Sequence, residues 1–492
     1  MAHYPIKCIR CTHIATNDTV LFDTEDTIQS MTHMLAQENT ALSIGKRAKK
    51  DRSQSKAVEA EEKGWWEIDD DETDALNQNG EDGTGQIELG RLMTYPAMRE
   101  YCEENGLGEV TPEWQSVNVT PDFLGKDIDD PGVDLLVGFS FKSEVDGVRK
   151  RARKRYCPAC HCELPSQSGA MPTYVITVMG TSASGKTVYL CALHWLLSHG
   201  TGNMPYHSSL SCVTASRNGN TVYNLSMELF ERGILPGTTQ IVLTEPLAIQ
   251  LTYEIGGSSK KCLFALADMR GEDLASDDGS NLLLRSEFFS RADGFMVLIS
   301  PLNIPALAHR FSQYGGAEGS TAVHTVLMQN INDYILPSFP GGQIIAPAVV
   351  MLSKSDLLIN NASYLQIPRY NAVVAPNPPI MFTGTYFQSQ YNGTRQIVSA
   401  DAQLHQYLNN CFSDPYYTSI SSLGPNVNVG TDTSGNRIIT NPNLINPLRV
   451  VDPVIYLLMR FGFLPAFYKM EAGQAYEAEN VAIISEWLQT HT

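Results

Sequence analysis

The chain has 492 residues, and a prior of about 150 residues per domain predicts two or three units rather than one. With 43% hydrophobic and 18% charged residues its composition is globular, which excludes wholesale disorder and collagen-like architectures. The net charge of −18 repels phosphate backbones, so general nucleic-acid packaging is excluded and any nucleic-acid contact needs a local basic patch.

Met1 to Arg10 carries Lys7 and Arg10 and lacks an apolar stretch before a small-residue cleavage site, so it does not read as a secretory signal. No apolar run reaches the roughly 20 residues of a membrane-spanning helix. The greasiest stretch, Pro453 to Met459, is flanked by Asp452 and Arg460. A cytoplasmic, reducing setting is expected, where cysteines serve as metal ligands, nucleophiles or core residues.

Four of the 10 cysteines form two CxxC pairs, Cys8 with Cys11 and Cys157 with Cys160. Each pair sets two sulfurs on one tight turn, and two such turns brought together complete the tetrahedral shell of a structural zinc ion. Such a closed site leaves no position for a reacting water. The alternative is one redox dithiol beside an incidental pair. Cys162, His161 and His13 are substitute ligands, while Cys191, Cys212, Cys262 and Cys411 lie among apolar residues as core side chains.

Between the knuckles the basic cluster Lys46, Arg47, Lys49, Lys50 and Arg52 runs into the acidic cluster Glu67, Asp69, Asp70, Asp71, Glu72 and Asp74, a pattern of loop or disorder. Trp65 and Trp66 interrupt it as a docking motif or as local packing. A second basic run, Arg149 to Arg155, is either an anion-binding patch or an exposed ribbon strand, which leaves nucleic-acid binding open. The predicted organisation is a small β-rich zinc ribbon over residues 1–170, with knuckles near 8–11 and 157–160 and an acidic, partly disordered insertion at about 24–130. An α/β domain follows over 171–492, with insertions at about 360–393 and 425–446.

From Thr173 onward apolar runs alternate with amphipathic stretches, the pattern of βα units around a mostly parallel sheet with helices on both faces. Predicted strands are Tyr174–Met179, Leu247–Tyr253, Cys262–Ala267, Gly294–Ser300, Ala346–Leu352 and Tyr416–Ser421. Predicted helices are Tyr189–Leu197, Ser286–Arg291, Val323–Ile335, Ala402–Cys411, Pro453–Arg460 and a terminal Tyr476–Gln489.

Directly after the first of these strands, Gly180, Thr181, Ser182, Ala183, Ser184, Gly185, Lys186 and Thr187 match G-x-x-x-x-G-K-[ST] in full, and Val188 continues into a helix. The glycines let successive N–H groups turn inward onto phosphates, Lys186 reaches the β- and γ-phosphates, and the Thr187 hydroxyl ligates Mg2+. A strand then ends in Asp268, with Gly271 completing D-x-x-G and Glu272 next to it, which sets a carboxylate near Mg2+ and a glycine N–H near the γ-phosphate. Thr238 and Thr239 precede a strand and either fits the threonine that completes the metal shell when the γ-phosphate is present. Ser353, Lys354 and Asp356 form S-K-x-D after the next apolar strand, and Asp356 would accept two hydrogen bonds from guanine. Ser421, Ser422 and Leu423 end a further strand, where backbone would face guanine O6.

Four motifs in this order resemble the P-loop GTPase class over roughly Thr173 to Leu464. The Cys-Pro-Ala-Cys-His knuckle, the wording Gly-Thr-Ser-Ala-Ser-Gly-Lys-Thr-Val-Tyr-Leu and Asp452-Pro-Val-Ile-Tyr-Leu-Leu resemble, more narrowly, the bacterial zinc-ribbon "double-GTPase" group. The resemblance implies a slow GTP hydrolase cycling between GTP and GDP with Mg2+, a switch working with companion proteins in conflict, anti-phage or signalling systems. Lys186, Asp268, Gly271 and Glu272 would then be its catalytic residues. Three positions depart from the pattern. Ser353 replaces the Asn or Thr that braces the phosphate loop, Glu272 stands where many GTPases carry the Gln that orients water, and Ala183 replaces the Asn of potassium-activated members. An ATPase or kinase, or a nucleotide-binding scaffold without turnover, are the competing readings. The oligomeric state is not legible.

Overall fold

The computed structural model describes residues 4–23, 92–104, 119–124, 135–142, 149–181, 184–199, 209–236, 246–255, 258–268, 289–304, 307, 323–359, 384–432 and 437–464. The chain divides into two compact units. One comprises Met1–Thr16, Leu124–Leu135 and Cys157–Thr492, and the other Asn17–Phe123 and Leu136–Tyr156.

The first unit is built on a seven-stranded sheet. In chain order its elements are β1 (Thr173–Gly180), α1 (Lys186–Ser198), β2 (Ser209–Thr214), α2 (Arg217–Arg232), β3 (Leu247–Ile255), β4 (Ser258–Asp268) and β5 (Gly294–Ile299). There follow α3 (Val323–Asn330, continued by a π-helical turn over Ile331–Ile335), β6 (Ala348–Leu352), α4 (Asp356–Ile359), α5 (Gly384–Val398), α6 (Ala402–Cys411), β7 (Pro415–Ser419) and α7 (Asp452–Arg460). The strand order is β2-β3-β4-β1-β5-β6-β7. β4, β1, β5, β6 and β7 run parallel, while β3 pairs antiparallel with both β2 and β4.

Val175 to Gly180 of β1 and all of β5, β6 and β7 are buried, which is why these strands read as unbroken apolar runs rather than alternating ones. On one face, Ile176 and Val178 pack with Tyr189 and Leu193 of α1, Leu229 of α2 and Val454 and Leu458 of α7. On the opposite face, Met179, Phe295 and Val297 pack with Leu327 of α3 and Leu404 and Leu408 of α6. The β4–β1 half of that second face is covered by Ile9 of the first cysteine knuckle, which sits on Val175, Ala248, Leu263 and Ala265. The two alanines leave room for a loop where a helix would otherwise lie. Lys7 anchors the contact: its ammonium pairs with Asp293 at 2.7 Å, and the same carboxylate accepts the Val175 N–H at 2.6 Å.

The chain builds β2 to β4 on one side of β1 before crossing to β5 on the other. β1 therefore lies at a switch point, where the carboxyl ends of parallel strands leave a crevice for a ligand.

Six of the seven strands coincide with predicted ones; β2 and α2 are additional to the predicted elements. α5 occupies the end of the stretch read as a loop-rich insertion, and residues 360–383 lie outside the described residues. The insertion at 425–446 carries a hairpin of Val429–Thr431 with Arg437–Ile439, docked on the end of α2 by the Ile439 N–H to Gly233 O bond at 2.7 Å. The predicted helix Tyr476–Gln489 and the first half of Ser286–Arg291 fall outside the described residues, and residues 289–291 are helical as predicted. No described helix is long and apolar enough to cross a membrane.

In the second unit Leu21–Asp23 pairs antiparallel with Leu92–Thr94 and Arg155–Tyr156. A helix over Tyr95–Glu104 follows, and Phe22 meets Phe139 edge-on at 5.1 Å. The basic run is a strand, Arg149–Ala152, paired with Leu135–Lys142. Arg151, Arg153 and Lys154 are exposed, but Arg155 is buried, and burial lowers its guanidinium to about 10. The run is thus not a continuous basic face. The charge clusters at 46–74, with Trp65 and Trp66, lie outside the described residues.

Candidate functional site

β1 ends at Gly180, where a Cβ would stand 2.7 Å from Ser184 Oγ and 2.9 Å from Leu298 O, so glycine alone fits. Gly185 closes the turn with φ +91° and heads α1, whose first bond runs from Tyr189 N–H to Gly185 O at 2.9 Å. Lys186 opens the helix, and its ammonium donates to Gly180 O at 2.5 Å, which holds it over the loop. Thr181 and Ser184 are buried inside the turn and joined by Ser184 N–H to Thr181 O at 3.1 Å; Thr187 and Val188 are half-buried in the first helical turn. Ser182 and Ala183 lie outside the described residues. A glycine-framed turn feeding a 13-residue helix at a sheet switch point presents N–H groups and the positive helix end to an anion.

β4, the parallel neighbour of β1, ends at Asp268, whose backbone pairs with Val178, so Asp268 reaches the same edge of the sheet as the loop. Gly271, Glu272, Thr238 and Thr239 lie outside the described residues.

On the other side of β1, Ser353 follows β6. Its hydroxyl donates to Ser184 O at 2.7 Å and lies 3.2 Å from Ile299 O, so Ser353 ties the loop after β6 to the turn after β1. Lys354 takes a positive φ of 50°. Ser355 N–H bonds Ile420 O at 3.0 Å, which joins the loop after β6 to the loop after β7. There the Ser421 hydroxyl donates to Asp356 Oδ1 at 2.6 Å and accepts the Gly424 N–H at 3.0 Å, with Ser422 and Leu423 half-buried between them. Burial pushes the Asp356 carboxyl above the ordinary carboxylate range, opposed by the Ser421 hydroxyl, its own backbone N–H and the Lys354 ammonium. Burial likewise lowers Lys354; Asp356 opposes this and Arg437 reinforces it.

Gly424 has φ +84°, and a Cβ there would collide with Asn446 O. Gly424→Ala is expected to lower stability by about 3 kcal/mol, through left-handed strain plus displacement of Asn446. A urea titration measures it, and an unchanged midpoint would contradict the turn.

Sequence reasoning missed a buried polar group behind the loop. Thr181, Ser300, Asn303 and His324 meet there, and His324 is 1% exposed. Burial, then the charges of Lys186 and Lys354, lower the imidazole to about 3, so it is neutral at physiological pH. A lone histidine in an apolar helix carries no motif that could have revealed it.

The four CxxC sulfurs lie within 4.8 Å of one another. Cys8 Sγ is 3.6 Å from Cys160 Sγ, and Cys11 Sγ is 3.5 Å from Cys157 Sγ. A tetrahedron with metal–sulfur bonds of about 2.3 Å has edges of roughly 3.8 Å, so the donor set fits a zinc-sized ion. The knuckles are copies of one another. Cys8 Sγ accepts the Arg10 N–H and Cys157 Sγ the Ala159 N–H, both at 3.4 Å, and Thr12 and His161 take positive φ of 59° and 54° to close the turns. Cys162 is not in this set; its thiol accepts from Arg10 Nη1 at 2.7 Å. Among the described residues no other cluster of His, Cys, Asp and Glu has metal-binding geometry.

The fold and its loops thus define an α/β protein with a mostly parallel seven-stranded sheet, a glycine-framed turn at its switch point and a four-cysteine cluster able to hold a metal. No protein-family model matches the chain. It is 23% identical over 328 residues to SaeC of Mycolicibacterium smegmatis, a protein named for ESX-1 scaffolding and assembly, across 63% of this chain and 80% of that one. Two solved structures, of sup35 complexed with GDP and with GMPPNP, align at 14% and 11% identity with a TM-score of 0.20 each. They cover 54% and 51% of this chain, which spans 41% and 38% of theirs, less than half their length.

Proposed function

We propose that this chain binds GTP and GDP with Mg2+, hydrolyses GTP slowly, and acts as a switch toward a protein partner, with a structural zinc ion in its four-cysteine cluster. The observation that carries this reading is the pair of bonds that tie three loops together at one sheet edge, Ser353 Oγ to Ser184 O and Ser421 Oγ to Asp356 Oδ1. Phosphates would sit on the turn from Gly180 to Val188, with Lys186 stabilising charge that develops on them. Thr187, Asp268 and one of Thr238 and Thr239 would hold Mg2+. Asp356, held in a desolvated position by Ser421, gains from two N–H donors, which guanine offers and adenine does not. Lys354, Ser422 and Leu423 would complete the base pocket.

Asp268 to Glu272 would respond to the γ-phosphate. In this reading Glu272 follows Gly271 as a carboxylate that cannot donate a hydrogen bond to orient water, which supports slow intrinsic turnover completed by a companion. The likeness to a protein named for scaffolding and assembly supports a protein partner. The resemblance drawn from the sequence sets this switch in a bacterial conflict or signalling system.

Calorimetry of the full chain with GTP, GDP and ATP in the presence of Mg2+ tests the reading. GTP and GDP are expected to bind at least tenfold more tightly than ATP. ATP binding more tightly would replace the reading with an ATPase or kinase, and no binding to any nucleotide would leave a scaffold. Asp356→Asn is expected to move preference from GTP toward XTP by on the order of a hundredfold, because the amide pairs with xanthine and leaves a mismatch against guanine. Retained GTP preference in that variant would remove Asp356 from the base pocket.

A further inference from the structure

The insertion that follows β7 has no part in the reading above. It leaves the loop after β7 at Gly424 and comes back to the same loop. The Asn446 N–H bonds Leu423 O at 2.9 Å, and Ser421 and Leu448 exchange backbone bonds, Ser421 N–H to Leu448 O at 3.0 Å and Leu448 N–H to Ser421 O at 2.7 Å. Between these points the hairpin reaches the end of α2, where Ile439 N–H donates to Gly233 O at 2.7 Å and Leu235 N–H to Arg437 O at 3.1 Å. Ile439 is 2% exposed in the apolar core beneath, and Leu235, Leu423, Val427 and Ile445 pack against that same core.

The end of α2 is shaped for this contact. Gly233 takes φ +72°, and Ile234 N–H turns back to Glu228 O at 3.0 Å, a glycine-capped helix end. The Gly233 carbonyl lies beyond the helix, and the hairpin supplies its donor. A Cβ at Gly233 would stand 2.5 Å from Ile439 O, a backbone atom that cannot swing aside, so the close approach requires glycine. The insertion is thus a strap, with both ends on the loop after β7 and its middle on α2. Its ends hold the residue that holds Asp356: Leu448 fixes both backbone groups of Ser421, and the Ser421 hydroxyl donates to the Asp356 carboxylate at 2.6 Å. The Arg437 charge is felt by Lys354, which sets the hairpin near the loop after β6 as well. None of these bonds involves the turn after β1.

We propose that the strap is a positioning element for base recognition: Gly233 and Ile439 fix its middle, Leu448 and Asn446 pass that hold to Ser421 and Leu423, and Ser421 keeps Asp356 where two N–H donors of a guanine can meet it. The proposal rests on the reading of Asp356 as the group that selects the base. A displaced strap shifts Ser421, and Asp356 with it, while the turn that receives phosphates keeps its shape. The base-specific part of the affinity is therefore the part that the strap controls.

The test is calorimetric affinity of the full chain for Mg·GDP and Mg·ADP, as wild type, Gly233→Ala and Ile439→Ala, each checked for a cooperative thermal transition. Gly233→Ala sets a methyl group against the Ile439 carbonyl and is expected to weaken Mg·GDP roughly tenfold, the equivalent of one hydrogen bond at Asp356, with Mg·ADP within about threefold of wild type. Ile439→Ala keeps the backbone bond and thins the apolar contact; it is expected to act in the same direction by a smaller factor, and carries the test if Gly233→Ala does not fold. Unchanged Mg·GDP affinity in the folded variants would overturn the proposal. So would equal losses for the two nucleotides, the result of a strap that matters to stability alone. Hydrogen exchange of the wild type decides the matter if neither variant folds: at equal saturation Mg·GDP is expected to slow the Ile439 and Leu448 amides about threefold more than Mg·ADP, and equal slowing would overturn the proposal. A wild type that binds neither nucleotide, or prefers ADP, would instead overturn the reading of the base pocket and this proposal with it.

Discussion

With the proposed zinc in the four-cysteine cluster, a strong chelator or Cys157→Ser is expected to lower the melting temperature of the sheet-bearing unit by roughly 10 °C or more. Structural tetrathiolate zinc contributes on the order of 10 kcal/mol, as much as the whole stability of a typical domain. Burial pushes the Cys11 thiol up to about 12, against a backbone N–H bond, with Cys160 and Cys157 reinforcing the rise. At Cys157 burial acts the same way, but the N–H groups of Cys160 and Ala159 and the thiols of Cys11 and Cys160 outweigh it and lower the group. Four sulfurs this close cannot all ionise without a cation between them.

The loss would spread beyond the knuckles. Ile9 covers Val175, Ala248, Leu263 and Ala265, and Lys7 pairs with the carboxylate that holds the Val175 N–H. Exposing Ile9 alone costs about 2 kcal/mol. Because Val175 belongs to the strand that ends in the phosphate loop, nucleotide affinity should fall together with stability. Elemental analysis is expected to give one zinc per chain, lost in Cys157→Ser. A metal-free wild type with an unchanged melting curve after chelation would remove the ion from the account.

Lys186→Ala is expected to weaken GTP and GDP by at least a hundredfold while leaving the melting temperature within a few degrees of wild type. The ammonium is the only side-chain charge within the G-x-x-x-x-G-K-T turn, and its bond to Gly180 O keeps it at the loop. A charge-assisted hydrogen bond in a partly buried site amounts to about 3 kcal/mol, which converts to that factor. The backbone N–H groups and helix end remain in the variant, so weak residual binding is compatible with the assignment. Wild-type affinity in Lys186→Ala would take the loop out of the binding site.

Much of the fold and of the loop site is legible in the sequence because local chemistry demands it. The tight turn after β1 needs glycine at Gly180, where a Cβ would collide, and at Gly185, with φ +91°, and strands buried on both faces need unbroken apolar runs, as in Val349 to Leu352. β2 is not legible because Ser209–Thr214 is a short edge strand without such a run, and α2 because Arg217 to Asn220 obscure its apolar face. α5 is hidden by Gly393, Asn392 and a tyrosine-rich surrounding that resembles loop, although its end buries Ile397 and Val398.

The positions of the loops after β1, β6 and β7 and of the two CxxC pairs were determined by sequence alone, since each spans a few residues whose spacing is set by backbone geometry. Tertiary structure decided the rest: that sulfurs 146 and 152 positions apart face one another, that the first knuckle takes the place of a helix on one half of the sheet, and that Ser353 reaches a carbonyl 169 positions away. It alone set His324 beside Thr181, 143 positions distant. These contacts follow from how apolar faces close against one another, and the partner of a buried polar group is whichever group that closure brings within reach.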